Sequence, residues 1–145
     1  MYPEIMVIPM REELTRLGIE ELRSAADVDR FVQKESGTTM LIVNSICGCA
    51  AGRMRPAVRL ALQNVTKPGK IGTVFAGQDL EATAQARAHF VGYPPSSPSI
   101  AILHDGKVIY MMHRHQIETR DAAAIAADLK AAFDQHCGAT AVARN

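Results

Sequence analysis

Hydrophobic positions recur along this chain in two rhythms. Thr38-Thr39-Met40-Leu41-Ile42-Val43 is β-branched and almost continuously apolar, the pattern of a strand covered on both faces. Ile71-Gly72-Thr73-Val74-Phe75 repeats it in a shorter form weakened by its glycine. Ser99–His104 and Lys107–Met112 flank Asp105-Gly106, a pair suited to a type I′ turn, so a β-hairpin is expected there. Elsewhere the spacing is helical. Pro9 to Gly18 reads as a short helix with proline near its start and acidic early turns. Ser24 is placed to cap a second helix, in which Val28, Phe31 and Val32 recur until Gly37. From Ala50 to about Gln63 the apolar stripe is Val58, Leu62 and Val65, and Pro56 inside it is expected to kink the helix. Asp79 is expected to cap a helix from Leu80 to about Phe90. Thr119 or Asp121 then opens a terminal helix whose Ile125, Leu129 and Phe133 recur at intervals of four; the residues beyond Cys137 are expected to fray.

The predicted order is helix, helix, β, α, β, α, β-hairpin, helix. A βαβ unit followed by a helix and an antiparallel hairpin makes a mixed sheet with helices on both faces. The class expected is α/β, in the order of the thioredoxin fold with extra N-terminal helices. No repeat or composition break divides the chain, so residues 1–145 are read as a single domain.

Composition narrows the function. The chain has 145 residues, 48% of them apolar and 21% charged, with a net charge of +1. That is enough to bury a core without staples, and it supports neither a nucleic-acid footprint nor a polybasic membrane patch. No apolar run approaches the ~20 residues of a membrane helix. The N-terminus lacks the basic region of a secretory signal. Three cysteines, an odd number, argue against a structural disulfide framework. The compartment expected is the reducing cytoplasm, where paired cysteines are more often catalytic or metal-binding than structural.

Two of those cysteines concentrate the chemistry. Asn44-Ser45-Ile46-Cys47-Gly48-Cys49-Ala50-Ala51-Gly52 lies between the buried strand and a helix start. Unpaired N–H groups and the positive end of the helix dipole there favour a thiolate, the reactive form. Cys47 is read as the nucleophile because the first sulfur of such a pair is usually the more exposed. Gly48 is expected to give the short loop its backbone freedom, with Gly52, Ala50 and Ala51 keeping the entry turn of the helix narrow so that a peptide or thiol can come near the sulfurs. Arg53 and Arg55 are candidates to lower a thiol pKa or to meet a carboxylate of a small thiol. A disulfide across one residue closes a very small ring, so a Cys47–Cys49 disulfide is expected to be more oxidising than thioredoxin's, at about −270 mV. Pro98, just ahead of a strand, is the candidate cis-proline facing the pair. His113 and His115, at alternate positions, are read as surface or edge histidines rather than metal ligands, with no resident metal or cofactor expected. Two other functions use the same residues: a Cys-Gly-Cys carrier of soft ions such as Cu(I) or Zn(II), and a redox sensor that does not turn over.

Longer motifs carry a resemblance. Val43–Gly52 with Arg55-Pro56, Thr73–Asp79, Pro95–Ser99, His113–Glu118 and Ala132–Cys137 resemble the bacilliredoxin family, cytoplasmic thioredoxin-fold proteins of bacteria that make bacillithiol. The resemblance implies reduction of mixed disulfides between client proteins and bacillithiol, the thiol co-substrate, with weak disulfide isomerase activity in some members. It also implies Cys47 as nucleophile, Cys49 as resolving thiol, and Cys137 as an accessory thiol, either inert or a second resolving cysteine. The segment after Cys137 departs from the family pattern.

Overall fold

A computed structural model describes residues 1–33 and 37–138; the expected fraying beyond Cys137 falls mostly outside that range. Five strands form one mixed sheet in the order β1-β3-β2-β4-β5. The central strand is β2 (Thr38–Asn44), buried at every position. It pairs in parallel with β3 (Lys70–Phe75) and antiparallel with β4 (Ser99–His104), which turns into β5 (Lys107–Met112). Asp105 and Gly106 both take positive φ, 47° and 84°, as a type I′ turn requires.

The strands' alternation sorts the core into two layers. Met40 and Ile42 face one side, with Ile100, Ile102 and the helices that follow the cysteines and close the chain. Leu41 and Val43 face the other, with Val74, Ala101 and the helices α2 (Ala25–Phe31) and α4 (Leu80–His89). The caps explain where several helices begin. Ser24 Oγ accepts the Asp27 N–H at 3.1 Å, and Asp121 Oδ1 accepts that of Ala124 at 2.8 Å, so Asp121 rather than Thr119 opens α6 (Ala122–His136).

The expected pattern needs correcting in several places. Helix α1 runs from Glu4 to Thr15, so Pro9 lies inside it. Its first turn is tied down by Gln78, which accepts from the Tyr2 N–H at 2.8 Å and donates to the Tyr2 carbonyl at 3.0 Å. Helix α2 ends at Phe31, short of Gly37. Two glutamates, Glu20 and Glu21, form a short edge strand, β1, parallel to β3; nothing in their polarity announces it. Asp79 stands at the N-cap of α4 without a capping side-chain bond, because its carboxylate is held by Arg11 at 2.6 and 3.1 Å. His113 and His115 lie not on a strand but at the start of a further short helix, α5 (Arg114–Glu118), where their rings stack with centroids 6.0 Å apart.

The helix after the cysteines differs most from expectation. Residues Ala50–Met54 form a wide π turn, and the regular α-helix α3 occupies Arg55–Ala61. Pro56 therefore falls in the first turn of α3, directly after the π turn. A π turn thus directly precedes Pro56 in the helix expected to kink there, and such turns are frequent at functional sites.

Candidate active site

The site lies at the end of the parallel strands, where β2 stops at Asn44 and β3 at Phe75. Ligands of open α/β sheets commonly bind at this edge. Asn44 is fully buried, and its side chain shapes the loop that follows. Asn44 Oδ1 accepts the Ser45 N–H at 2.9 Å and Arg55 Nη1 at 2.9 Å. Arg55 Nη1 also donates to the Ser45 carbonyl at 2.9 Å, and its Nε to Glu13 at 2.7 Å. Arg55 is only 2% exposed, so it sits beneath the loop with its guanidinium occupied rather than facing an incoming substrate. Arg53 likewise turns away from the sulfurs: its Nη1 donates to the Arg120 carbonyl and fastens the π turn to the start of α6.

On this frame the two cysteines meet. Cys47 and Cys49 are half-buried free thiols with their sulfurs 2.6 Å apart. Ser45 Oγ donates to Cys47 Sγ at 3.2 Å and accepts the Cys47 N–H at 3.3 Å. The Cys47 carbonyl accepts the N–H groups of Ala50 and Ala51, both at 3.1 Å. Partial burial alone would push the Cys47 thiol up. Hydrogen bonds from Cys49, from Ser45 and from the Ala50 N–H outweigh it, and its pKa falls below the ordinary thiol value. For Cys49 the balance reverses: burial first, then the hydrogen bond and charge of Cys47, push its pKa up, with Arg114 opposing. Cys47 is thus the more acidic sulfur of the pair and Cys49 the less acidic. The pair titrates as a unit, so the first proton leaves more easily than from an isolated cysteine and the second less easily. Alkylation of Cys47 by iodoacetamide is therefore expected to reach half its maximal rate below pH ~8.5, the ordinary thiol value. Cys49→Ser should move that midpoint because it changes the donor to the thiolate. An ordinary midpoint, insensitive to Cys49, would contradict the assignment.

The surroundings leave the sulfurs accessible. Gly48 is exposed, with ordinary φ and open space where a Cβ would stand; what it contributes is an uncovered approach, not a conformation closed to other residues. Gly52 is equally open. The Ser97–Pro98 peptide bond is cis, and Pro98 is buried. Ser99 pairs with Val43, which brings the Ser97-Pro98 segment alongside the loop at Ser45. Between them is a cavity of about 300 Å3 whose lining includes Ser45, Cys47, Ser97, Arg87 and Arg114. Neither of these arginines is evident from the spacing of the sequence. Arg114 is held by Glu118 at 3.0 Å and by the Ser97 carbonyl at 3.0 Å. Its charge couples to both sulfurs, which together with the Glu118 hydrogen bond pushes its own pKa up.

Cys137 is elsewhere. Helix α6 begins beside the π turn through the Arg53–Arg120 contact and ends where Asp134 accepts from Asn64 at 2.9 Å, beyond the end of α3. Its 15 residues span about 22 Å, so Cys137 lies at the far end from the dithiol. Burial, with Asp134 adding, pushes its pKa up to about 11, which leaves a protonated thiol. Among the described residues, no three His, Cys, Asp or Glu side chains are grouped to hold a metal ion.

This sheet and dithiol define a class, the thioredoxin-fold thiol–disulfide oxidoreductases. Structural comparison agrees on the fold. Fasciola hepatica thioredoxin superposes with a TM-score of 0.56 at 17% identity, covering 81% of this chain and 99% of that one. Thioredoxin O2 from Arabidopsis thaliana, in its oxidised state, gives 0.52 at 12% identity over 81% and 96%. Within that class, a family model described as disulphide isomerase matches residues 2–137. A bacilliredoxin of Koribacter versatilis is 60% identical over the whole of both chains. A bacilliredoxin of Geobacillus kaustophilus is 49% identical over 94% of this chain and 95% of its own. The chain belongs to the bacilliredoxin family.

Proposed function

We propose that this protein reduces mixed disulfides between client proteins and a low-molecular-weight thiol, bacillithiol, using Cys47 as nucleophile and Cys49 as resolving thiol. The observation that carries the reading is the opposed acidity of two touching, half-exposed sulfurs. The Cys47 thiolate attacks the small-thiol sulfur of the mixed disulfide. A Cys47–small-thiol disulfide forms, and the client leaves as a thiolate that takes a proton from water. Cys49, once deprotonated, then attacks Cys47 Sγ and expels the small thiol, leaving a Cys47–Cys49 disulfide and a client reduced by two electrons. A second small thiol can release the first directly instead, and a pair of external thiols returns the oxidised enzyme to its dithiol.

Arg55 acts in this reading as a positioning residue, holding the Asn44-Ser45 turn that aims Ser45 Oγ at the nucleophile. Pro98 and Gly48 border the approach of an extended client segment. The same first step supports disulfide isomerisation, when a thiol of the client displaces Cys47 before Cys49 does. The setting proposed is the cytoplasm, where small thiols stay reduced.

The test is mass spectrometry of a bacillithiolated client incubated with catalytic amounts of the protein and excess reduced bacillithiol. The client should lose the mass of one small thiol over many turnovers. If it keeps the adduct while an ordinary protein disulfide is reduced, the substrate assignment fails and the redox chemistry stands.

A further inference from the structure

The cavity beside Cys47 contains a cation with no partner among the described residues. Arg87 projects from α4 into its lining. Among the described residues it makes no ion pair or side-chain hydrogen bond, and its Nε is shielded from solvent without an acceptor. Shielding a guanidinium N–H from water and giving it nothing to bind is costly. Arg11 and Arg55, the most buried arginines, are held by Glu4 and Asp79 and by Glu13, Asn44 and Ser45. Arg120 also leaves its Nη2 shielded and unanswered, but it bonds Asp128 and the Gln116 carbonyl, whereas Arg87 has no such bond among the described residues. Across the same cavity, Arg114 spends its Nε on Glu118 and its Nη1 on Ser97, while its Nη2 has no partner among the described residues. Two guanidinium groups with spare donors thus line a space of about 300 Å3 that also contains Cys47, and one carboxylate, Glu118, answers only one of them.

We infer that Arg87 and Arg114 form an anion-reading subsite, which seats a carboxylate-bearing small thiol with its sulfur against Cys47. The inference rests on the oxidoreductase reading above and specifies which substrates that site prefers. Guanidinium forks match carboxylates in shape as well as charge. The subsite also fixes the direction of attack. With the small thiol's charged end held beside Cys47, its own sulfur lies nearest the nucleophile, so Cys47 takes the small thiol and the client leaves.

Charge can be varied across a set of small thiols. One client protein is loaded as its mixed disulfide with mercaptosuccinate, which carries two carboxylates, with neutral mercaptoethanol, or with cationic cysteamine. Each transfer rate to Cys47 is divided by the rate of the same disulfide with free dithiothreitol, which corrects for the intrinsic reactivity of each disulfide. The dianionic adduct is expected to transfer about tenfold faster than the neutral one, the worth of one charge-assisted hydrogen bond, and the cationic adduct more slowly still. Arg87→Gln should collapse that preference, and Arg87→Lys should restore part of it. Equal corrected rates for the three adducts with the wild type would overturn the subsite and leave the oxidoreductase reading intact. Equal losses on all three in Arg87→Gln would also overturn it, by making Arg87 a structural residue. No transfer of any adduct would remove both readings.

Discussion

Replacing Cys47 with serine should lower the rate of mixed-disulfide reduction by more than about a thousandfold, because Cys47 is the cysteine whose pKa is lowered, while those of Cys49 and Cys137 are raised. Cys49→Ser should behave differently. Its nucleophile survives, so the first exchange still occurs and the enzyme accumulates with one small thiol on Cys47, visible as a mass increase. Turnover then depends on free small thiol. Cys137→Ser should leave both steps unchanged, since its sulfur is protonated and an α6 length away from the pair. An adduct found on Cys49 or Cys137, or equal losses from Cys47→Ser and Cys137→Ser, would overturn these roles.

Arg11→Leu should be the most destabilising of the single changes suggested by the structure. Arg11 is 5% exposed and joins three carboxylates. It bonds Glu4 at 2.7 Å and Asp79 at 2.6 Å, and it lies 3.2 Å from Glu21, with its guanidinium 5.3 Å from the centroid of the Phe75 ring. Without it, Glu4, Asp79 and Glu21 face one another with only the half-exposed Arg23 nearby. Removing one partner of a buried ion pair typically costs about 3–5 kcal/mol, a large share of a domain's total stability.

The loss should depend on pH. Neither Glu21 oxygen receives a well-aligned hydrogen bond. Burial raises the Glu21 pKa from 4.5 to about 6, with Arg11 opposing and Asp79 adding. A raised folded pKa means stability that is fully present below pH 4.5 and lost as pH rises through 6, worth roughly 2 kcal/mol in the wild type. Loss of Arg11 pushes Glu21 further the same way and removes the hydrogen bond that lowers Glu4, so the variant's deficit should be greatest near neutral pH and shrink in mild acid. Urea denaturation of both proteins at neutral and mildly acid pH would measure it; a deficit that does not change with pH would sink the explanation.

These two predictions draw on different parts of what the sequence made legible. The dithiol, the buried strand β2, the Asp105-Gly106 hairpin and the caps at Ser24 and Asp121 could be read from residues close together in the chain, because local spacing sets each of them. The Arg11 knot could not. It joins α1, β1 and the start of α4, and it diverted Asp79 from the capping bond its position suggested. Edge strand β1 was hidden for a related reason: Glu21 is buried by its place beside β3 and by the Arg11 charge, not by any apolarity of its own. At the site, the arginines nearest the cysteines in sequence, Arg53 and Arg55, face away from substrate. Arg87 and Arg114, which line the cavity, come from α4 and from the start of α5. Folding brings them together, and no spacing rule connects them.

The π turn between the cysteines and α3 stores an extra residue within a continuous helix. Such a segment can shed one amino acid and relax into regular α-helix while Ala57, Val58 and Ala61 keep their seats in the core. The length of the stretch linking the dithiol to its scaffold is thereby partly uncoupled from the scaffold itself, which gives the spacing of the two sulfurs room to change without rebuilding the domain.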